Sequence, residues 1–222
     1  MTAKPNHWSI IACLLAAVAL WGGNNAGVKF LVRDWPPLFT GSTRFLCAGL
    51  LMFGLLRWTR LLGPASRISP EMRRHLWLRS GLALAAYIAV FNLALRFTAA
   101  SHVALYLGAS PVWALLWEGR AGTSRTERLK RGGAASLALS GVVVLVGPTF
   151  HRGAGSFTGE LLGLAASVLW THYGRQCRSL GDRLSGAEIA AHTMWRAGVL
   201  LLPFALLEAS RQQLHWNQML LV

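Results

Sequence analysis

Acidic side chains are scarce in this sequence, which has 8 Asp and Glu against 22 Lys and Arg in 222 residues. All eight acids lie in predicted loops or at the ends of predicted helices, at Asp34, Glu71, Glu118, Glu127, Glu160, Asp182, Glu188 and Glu208. We therefore expect no simple carboxylate proton relay and no carboxylate sodium ligand in the middle of the molecule. Histidine-based and facilitated routes stay open.

Cysteine and catalytic motifs are equally sparse. Cys13, Cys47 and Cys177 lie far apart, and no C-x-x-C pair occurs. This spacing predicts no disulfide framework and no zinc site, so we expect neither a metal nor another cofactor. Paired carboxylates, H-E-x-x-H and G-x-S-x-G are also missing. These absences predict that the protein is not an enzyme.

Apolar residues are abundant instead. Hydrophobic residues make up 54% of the chain and charged residues 14%, whereas soluble domains carry about 25% charged residues. The apolar runs approach the length of about 20 residues that spans a bilayer as a helix. The fold class predicted is all-α and polytopic transmembrane. Seven spans are predicted at residues 8–30, 38–56, 76–95, 99–117, 132–147, 157–173 and 187–207, and an eighth starts at residues 216–222.

Basic residues cluster in alternate gaps between these spans. Of the 22 Lys and Arg, 15 fall on the side of the N-terminus and 5 on the other side, and Arg44 and Arg196 lie inside spans. This bias predicts a cytoplasmic N-terminus. The net charge of +14 is therefore explained by basic residues in cytoplasmic loops. Because it needs no nucleic acid to explain it, we expect no nucleic-acid partner. We expect an integral membrane protein, located in the bacterial inner membrane.

The chain contains a weak internal repeat. Residues 18–21 (V-A-L-W) match residues 167–170 (S-V-L-W), and the span after each match carries an arginine, Arg44 or Arg196. Because a unit of five spans has an odd number of crossings, its second copy must be inverted in the membrane. We predict a first five-helix repeat at residues 8–148 and a partial second repeat at residues 157–222.

Several motifs, in order, resemble the EamA-type permeases of the drug/metabolite transporter superfamily. They are residues 19–25 (A-L-W-G-G-N-N), Pro36-Pro37 before residues 43–46 (T-R-F-L), residues 95–101 (L-R-F-T-A-A-S) before Ser110-Pro111, and residues 141–145 (G-V-V-V-L). The resemblance implies ten helices in two inverted repeats, a central cavity, and efflux or import of small metabolites. The second repeat is incomplete in these 222 residues.

Polar residues at the end of the first span are the strongest local signal for a cavity. Trp21, Asn24, Asn25 and Lys29 share one helical face. Buried amides need a partner or a cavity, so Asn24 and Asn25 either contact substrate or join helices. Lys29 is expected to extend to the outer surface.

Aromatic residues on other spans complete the candidate cavity. The further candidates are Tyr87, Phe91, Asn92, Tyr106, Trp113, Trp170 and His172. For Tyr106 and the nearby His102, an interfacial aromatic belt is the favoured alternative, and His172 has core packing as its alternative.

We expect the two span arginines to extend to the nearest surface, the alternative being burial with a partner. Small residues at Gly132, Ser136 and Ser140 predict close helix packing.

These features together predict a permease for small organic metabolites that works by alternating access around a midplane cavity. Its partners would be a small-molecule substrate and the lipid bilayer, and the sequence leaves a homodimer open. The alternative is a truncated, non-transporting remnant, or a membrane subunit that depends on a partner.

Overall fold

The computed structural model describes residues 7–59, 62–118, 125–146 and 154–211, and within these ranges the chain forms helices and no β-strand. The polytopic all-α class is thereby confirmed. The helices are α1 His7–Asp34, α2 Pro37–Trp58, α3 Pro70–His75, α4 Leu82–Phe97, α5 Ala100–Gly108, α6 Ser110–Glu118, α7 Arg125–Val146, α8 Ala154–Arg178 and α9 Gly186–Arg211. A π-helical turn, Leu76–Gly81, joins α3 to α4 without a break.

Four helical segments of the described chain are long and apolar enough to cross a membrane: α1, α2, the continuous segment Pro70–Phe97, and α9. The predicted fourth span is divided into α5 and α6 at Ala109, just before Pro111. Proline cannot donate an intrahelical hydrogen bond, and its ring clashes with the preceding turn. The count of seven spans stays a prediction, and the predicted start at residues 216–222 lies outside the described residues.

Proline and serine fix where two of the helices begin. Pro37 occupies the first turn of α2, and Pro70 that of α3, positions where the missing N–H costs nothing. The hydroxyl of Ser69 accepts a hydrogen bond from the backbone N–H of Met72 at 3.2 Å, which caps α3. At the start of α2 the cap comes from another helix, because the Glu208 carboxylate accepts the N–H groups of Leu38 (2.7 Å) and Phe39 (3.2 Å).

Helices α2 and α9 run antiparallel in close contact. The Ser42 hydroxyl donates to the Gly198 carbonyl at 2.8 Å. A Cβ atom added at Gly49 would lie 2.3 Å from the backbone nitrogen of Trp195, and one at Gly198 would lie 2.8 Å from the backbone nitrogen of Leu46. Only glycine permits such an approach of two backbones.

The main apolar core lies between α4 and α8, around Leu84, Ile88, Leu95 and Ala166. Helix α1 packs on α4 and α5 and leaves large apolar side chains exposed, including Leu14, Val18 and Leu20. A broad exposed apolar surface of this kind is expected where a helix faces lipid.

Candidate functional site

A cavity of about 780 Å³ opens between α1, α2, α4, α8 and α9. Five of the residues predicted to line a cavity meet there: Trp21, Asn24, Tyr87, Phe91 and Trp170. The other lining residues were not predicted, and they are Leu20, Arg44, Phe45, Cys47, Ala48, Leu84, Tyr173, Ala190 and Met194. Its volume lies within the range of about 300–1,000 Å³ that is usual for small-molecule sites.

Trp170 is the centre of the aromatic wall of this cavity. Its ring centroid lies 4.9 Å from that of Tyr87, 5.5 Å from that of Trp21 and 5.6 Å from that of Tyr173. Tyr87 in turn lies 5.4 Å from Phe91. Spacings of three and four residues place Tyr173 beside Trp170 on α8, and Phe91 beside Tyr87 on α4. The wall therefore offers flat apolar surfaces from three helices.

The charged group of the cavity is Arg44, whose side chain is half-buried. Its Nη2 donates a hydrogen bond to Oδ1 of Asn24, so α2 and α1 meet through a polar pair. No Asp or Glu is among the described residues that line the cavity. The hydroxyl of Tyr173 is already paired with Thr193 Oγ1 at 2.9 Å.

The structure places four other predicted residues outside this cavity. Asn25 is 6% exposed and borders a separate cavity of about 240 Å³ between α1 and α5. Asn92 donates to the Pro37 carbonyl at 2.8 Å, and Trp113 donates to the Ser167 hydroxyl at 3.0 Å. The ring of His172 lies 6.0 Å from that of Trp117. These contacts join helices to one another.

Tyr106, the remaining candidate, belongs to a buried network around Glu160. The carboxylate accepts hydrogen bonds from Tyr106 Oη (2.5 Å) and Thr98 Oγ1 (2.6 Å), and it contacts His102 Nδ1 at 2.7 Å. Tyr106 is fully buried, so the aromatic-belt interpretation is wrong for it. Sequence reasoning missed Glu160 as a partner because 54 residues separate it from Tyr106 along the chain.

Arg196 is also buried rather than extended to the surface. Its guanidinium carbon lies 4.3 Å from the ring of Trp195 and 5.4 Å from that of Trp77, in cation–π geometry. Nη1 donates to the carbonyl of His192 at 2.8 Å and to Nδ1 of the same residue at 3.0 Å. The alternative from the sequence, burial with partners, is therefore the observed one.

Lys29 donates to the Leu95 carbonyl at 2.6 Å, so it ties α1 to the end of α4.

Within the described part of the chain, no cluster of three or more His, Cys, Asp or Glu side chains is placed to hold a metal ion.

Comparison with known proteins agrees with a helical membrane fold. Residues 8–147 match the EamA-like transporter family. An uncharacterized transporter of Archaeoglobus fulgidus is 24% identical over 210 residues, which cover 92% of this chain and 69% of the relative. No solved structure matches the chain. The family and the relative both point to transport rather than catalysis. The chain is an integral membrane protein and belongs to the EamA-like transporter family.

Proposed function

We propose that the chain transports small organic metabolites by alternating access through the cavity of about 780 Å³. The observation that carries the proposal is an open cavity between five helices, with an aromatic wall and one polar pair, Arg44 and Asn24. Sites of this composition bind small organic molecules, with the aromatic surfaces giving affinity and the few polar groups giving orientation.

The internal repeat supports an inverted architecture. Trp21 and Trp170, the matching residues of the two copies, are in ring contact at 5.5 Å. The second helices of the two copies, α2 and α9, pack antiparallel at Gly49 and Gly198. Both contacts are expected at a pseudo-two-fold axis in the membrane plane. We propose that the α2–α9 contact is the pivot about which one repeat rocks against the other.

In this mechanism the Trp21–Trp170 contact closes one side of the cavity. Rocking would separate the two rings and admit substrate between them, where both faces stack on it. The orientation proposed is a cytoplasmic N-terminus in the inner membrane, which follows from the positive charge bias.

The test is uptake by purified residues 1–222 reconstituted in proteoliposomes, with a panel of radiolabelled amino acids, organic acids and amines. We expect at least one compound to accumulate. Trp21→Ala and Asn24→Ala should each lower that uptake about two- to tenfold, because a lost stacking surface or hydrogen bond weakens binding by about 0.5–1.5 kcal/mol. Trp58→Ala is the matched control, since Trp58 is 86% exposed.

The amount of each variant in the membrane fraction shows whether insertion is intact. Unchanged uptake in Trp21→Ala and Asn24→Ala would remove both residues from the site. An absence of uptake by the 222-residue chain would favour the alternative, a remnant or a partner-dependent subunit.

A further inference from the structure

Arg44 carries a positive charge that no described residue of the cavity neutralises. Its side-chain partner is the neutral amide of Asn24, and the other lining residues are apolar, aromatic or uncharged. Arg44 is half-buried, and a charge within a membrane span is costly unless an opposite charge or several hydrogen bonds compensate for it. The unneutralised guanidinium therefore makes the cavity favourable for an anion.

Arg196 shows how the same protein holds an arginine that serves packing. Two tryptophan rings flank its guanidinium, and His192 accepts from it through two atoms. Arg44 differs because it borders an open cavity and its bond is to the amide of Asn24 on another helix. Among the described residues no acceptor is seen for its remaining N–H groups, so they are available to a ligand in the cavity.

The chemistry of a matching ligand follows from these neighbours. A guanidinium binds a carboxylate through two parallel hydrogen bonds, and the rings of Trp170, Tyr87 and Trp21 offer flat surfaces beside it. The described residues of the lining supply no carboxylate to a cationic ligand. A neutral ligand would leave the guanidinium charge uncompensated.

We infer that the cavity selects organic monoanions with a flat apolar body, and that Arg44 binds their carboxylate. This inference rests on the proposed transport function. Asn24 holds the guanidinium in place, and the carboxylate of the ligand binds the N–H groups of Arg44 that Asn24 does not use. The apolar body then lies against the Trp170 ring.

The experiment compares three probes that share one ring system: 2-naphthoate, the neutral 2-naphthamide and the cationic 2-naphthylmethylammonium. Binding to the full chain in lipid nanodiscs is measured by calorimetry, with protein-free nanodiscs subtracted for partition into lipid. We expect 2-naphthoate to bind about tenfold or more tightly than the amide, since charge-assisted bonds are the stronger kind. The cation should bind most weakly.

Three variants distinguish the effect of the Arg44 charge on binding from an effect of altered cavity structure. Arg44→Gln should abolish the preference for 2-naphthoate and leave 2-naphthamide binding nearly unchanged, which also shows that the cavity is intact. Arg44→Lys should keep part of the preference, because it retains the charge without the two-pronged geometry. Arg96→Gln, at the exposed end of α4, is the matched control and should behave as the unmodified chain.

Equal binding of acid and amide, or a preference that survives Arg44→Gln, would overturn the inference. So would a lack of binding by all three probes. Whatever the binding result, uptake of a neutral metabolite in the proteoliposome assay would support the proposed transport function.

Discussion

At the scale of single residues, the buried Glu160 is the feature with the most consequence for stability. It is 2% exposed and accepts from Thr98 and Tyr106 while contacting His102. A carboxylate in such a place is tolerated because these groups replace its lost water. The network ties the α4–α5 connection to α8, at the end of the α4–α8 core.

Replacement of Glu160 by Ala should destabilise the protein. The substitution leaves the Tyr106 and Thr98 hydroxyls buried without their acceptor, and a hydrogen bond to a charged group is worth about 1.5–3 kcal/mol. Thermal unfolding in detergent should show a clear drop in melting temperature. Glu71→Ala, at an exposed acid of α3, should change it little; equal melting temperatures for the two variants would contradict the structural role.

Residue spacing within one helix predicted part of the site. Positions three and four apart share a face, and Trp21 with Asn24, and Tyr87 with Phe91, do reach the same cavity. Spacing could not show that Asn92 bonds to Pro37 or that Arg44 turns toward the cavity, because both depend on which helix lies opposite.

At the scale of helices, α2 and α9 form a close contact, which we propose as the place where the two predicted repeats meet. The sequence predicted close packing at Gly132, Ser136 and Ser140 of α7, but these residues are exposed in the described part of the chain. Close approach of two helices is instead seen at Gly49 and Gly198. A row of small residues indicates that another helix could pack closely against this one. It does not identify which helix that is.

Gly49→Ala should therefore disrupt the α2–α9 contact. The added methyl group would lie 2.3 Å from the Trp195 backbone nitrogen, a rigid neighbour, so the helices must separate. Overpacking of this kind costs about 1–3 kcal/mol. We expect a lower melting temperature and reduced uptake.

The matched control for this substitution is Gly132→Ala in α7. No atom lies within 4 Å of a Cβ added at Gly132, and alanine favours a helix more than glycine does. Its melting temperature should be equal to or higher than that of the unmodified chain. Loss of stability in Gly132→Ala but not in Gly49→Ala would refute the proposed contact.

At the scale of the whole molecule, the orientation that we propose from the charge distribution can be tested by labelling. In a cysteine-free background, Asp34→Cys at the end of α1 and Ala65→Cys before α3 lie on opposite predicted sides, and both positions are exposed. A membrane-impermeant maleimide should label Asp34→Cys in intact cells and Ala65→Cys only after permeabilisation, since basic loops stay in the cytoplasm. The opposite pattern would reverse the proposed orientation.

The sequence by itself determined that this is a helical membrane protein, since apolar runs of bilayer length and the distribution of charge are properties of the chain alone. Its motifs also indicated the family. Only the tertiary structure decided which polar residues share the cavity, which of the two span arginines faces it, and that Glu160 is buried among partners. These outcomes depend on contacts between residues far apart in the chain, and helical periodicity specifies a face without specifying what packs against it.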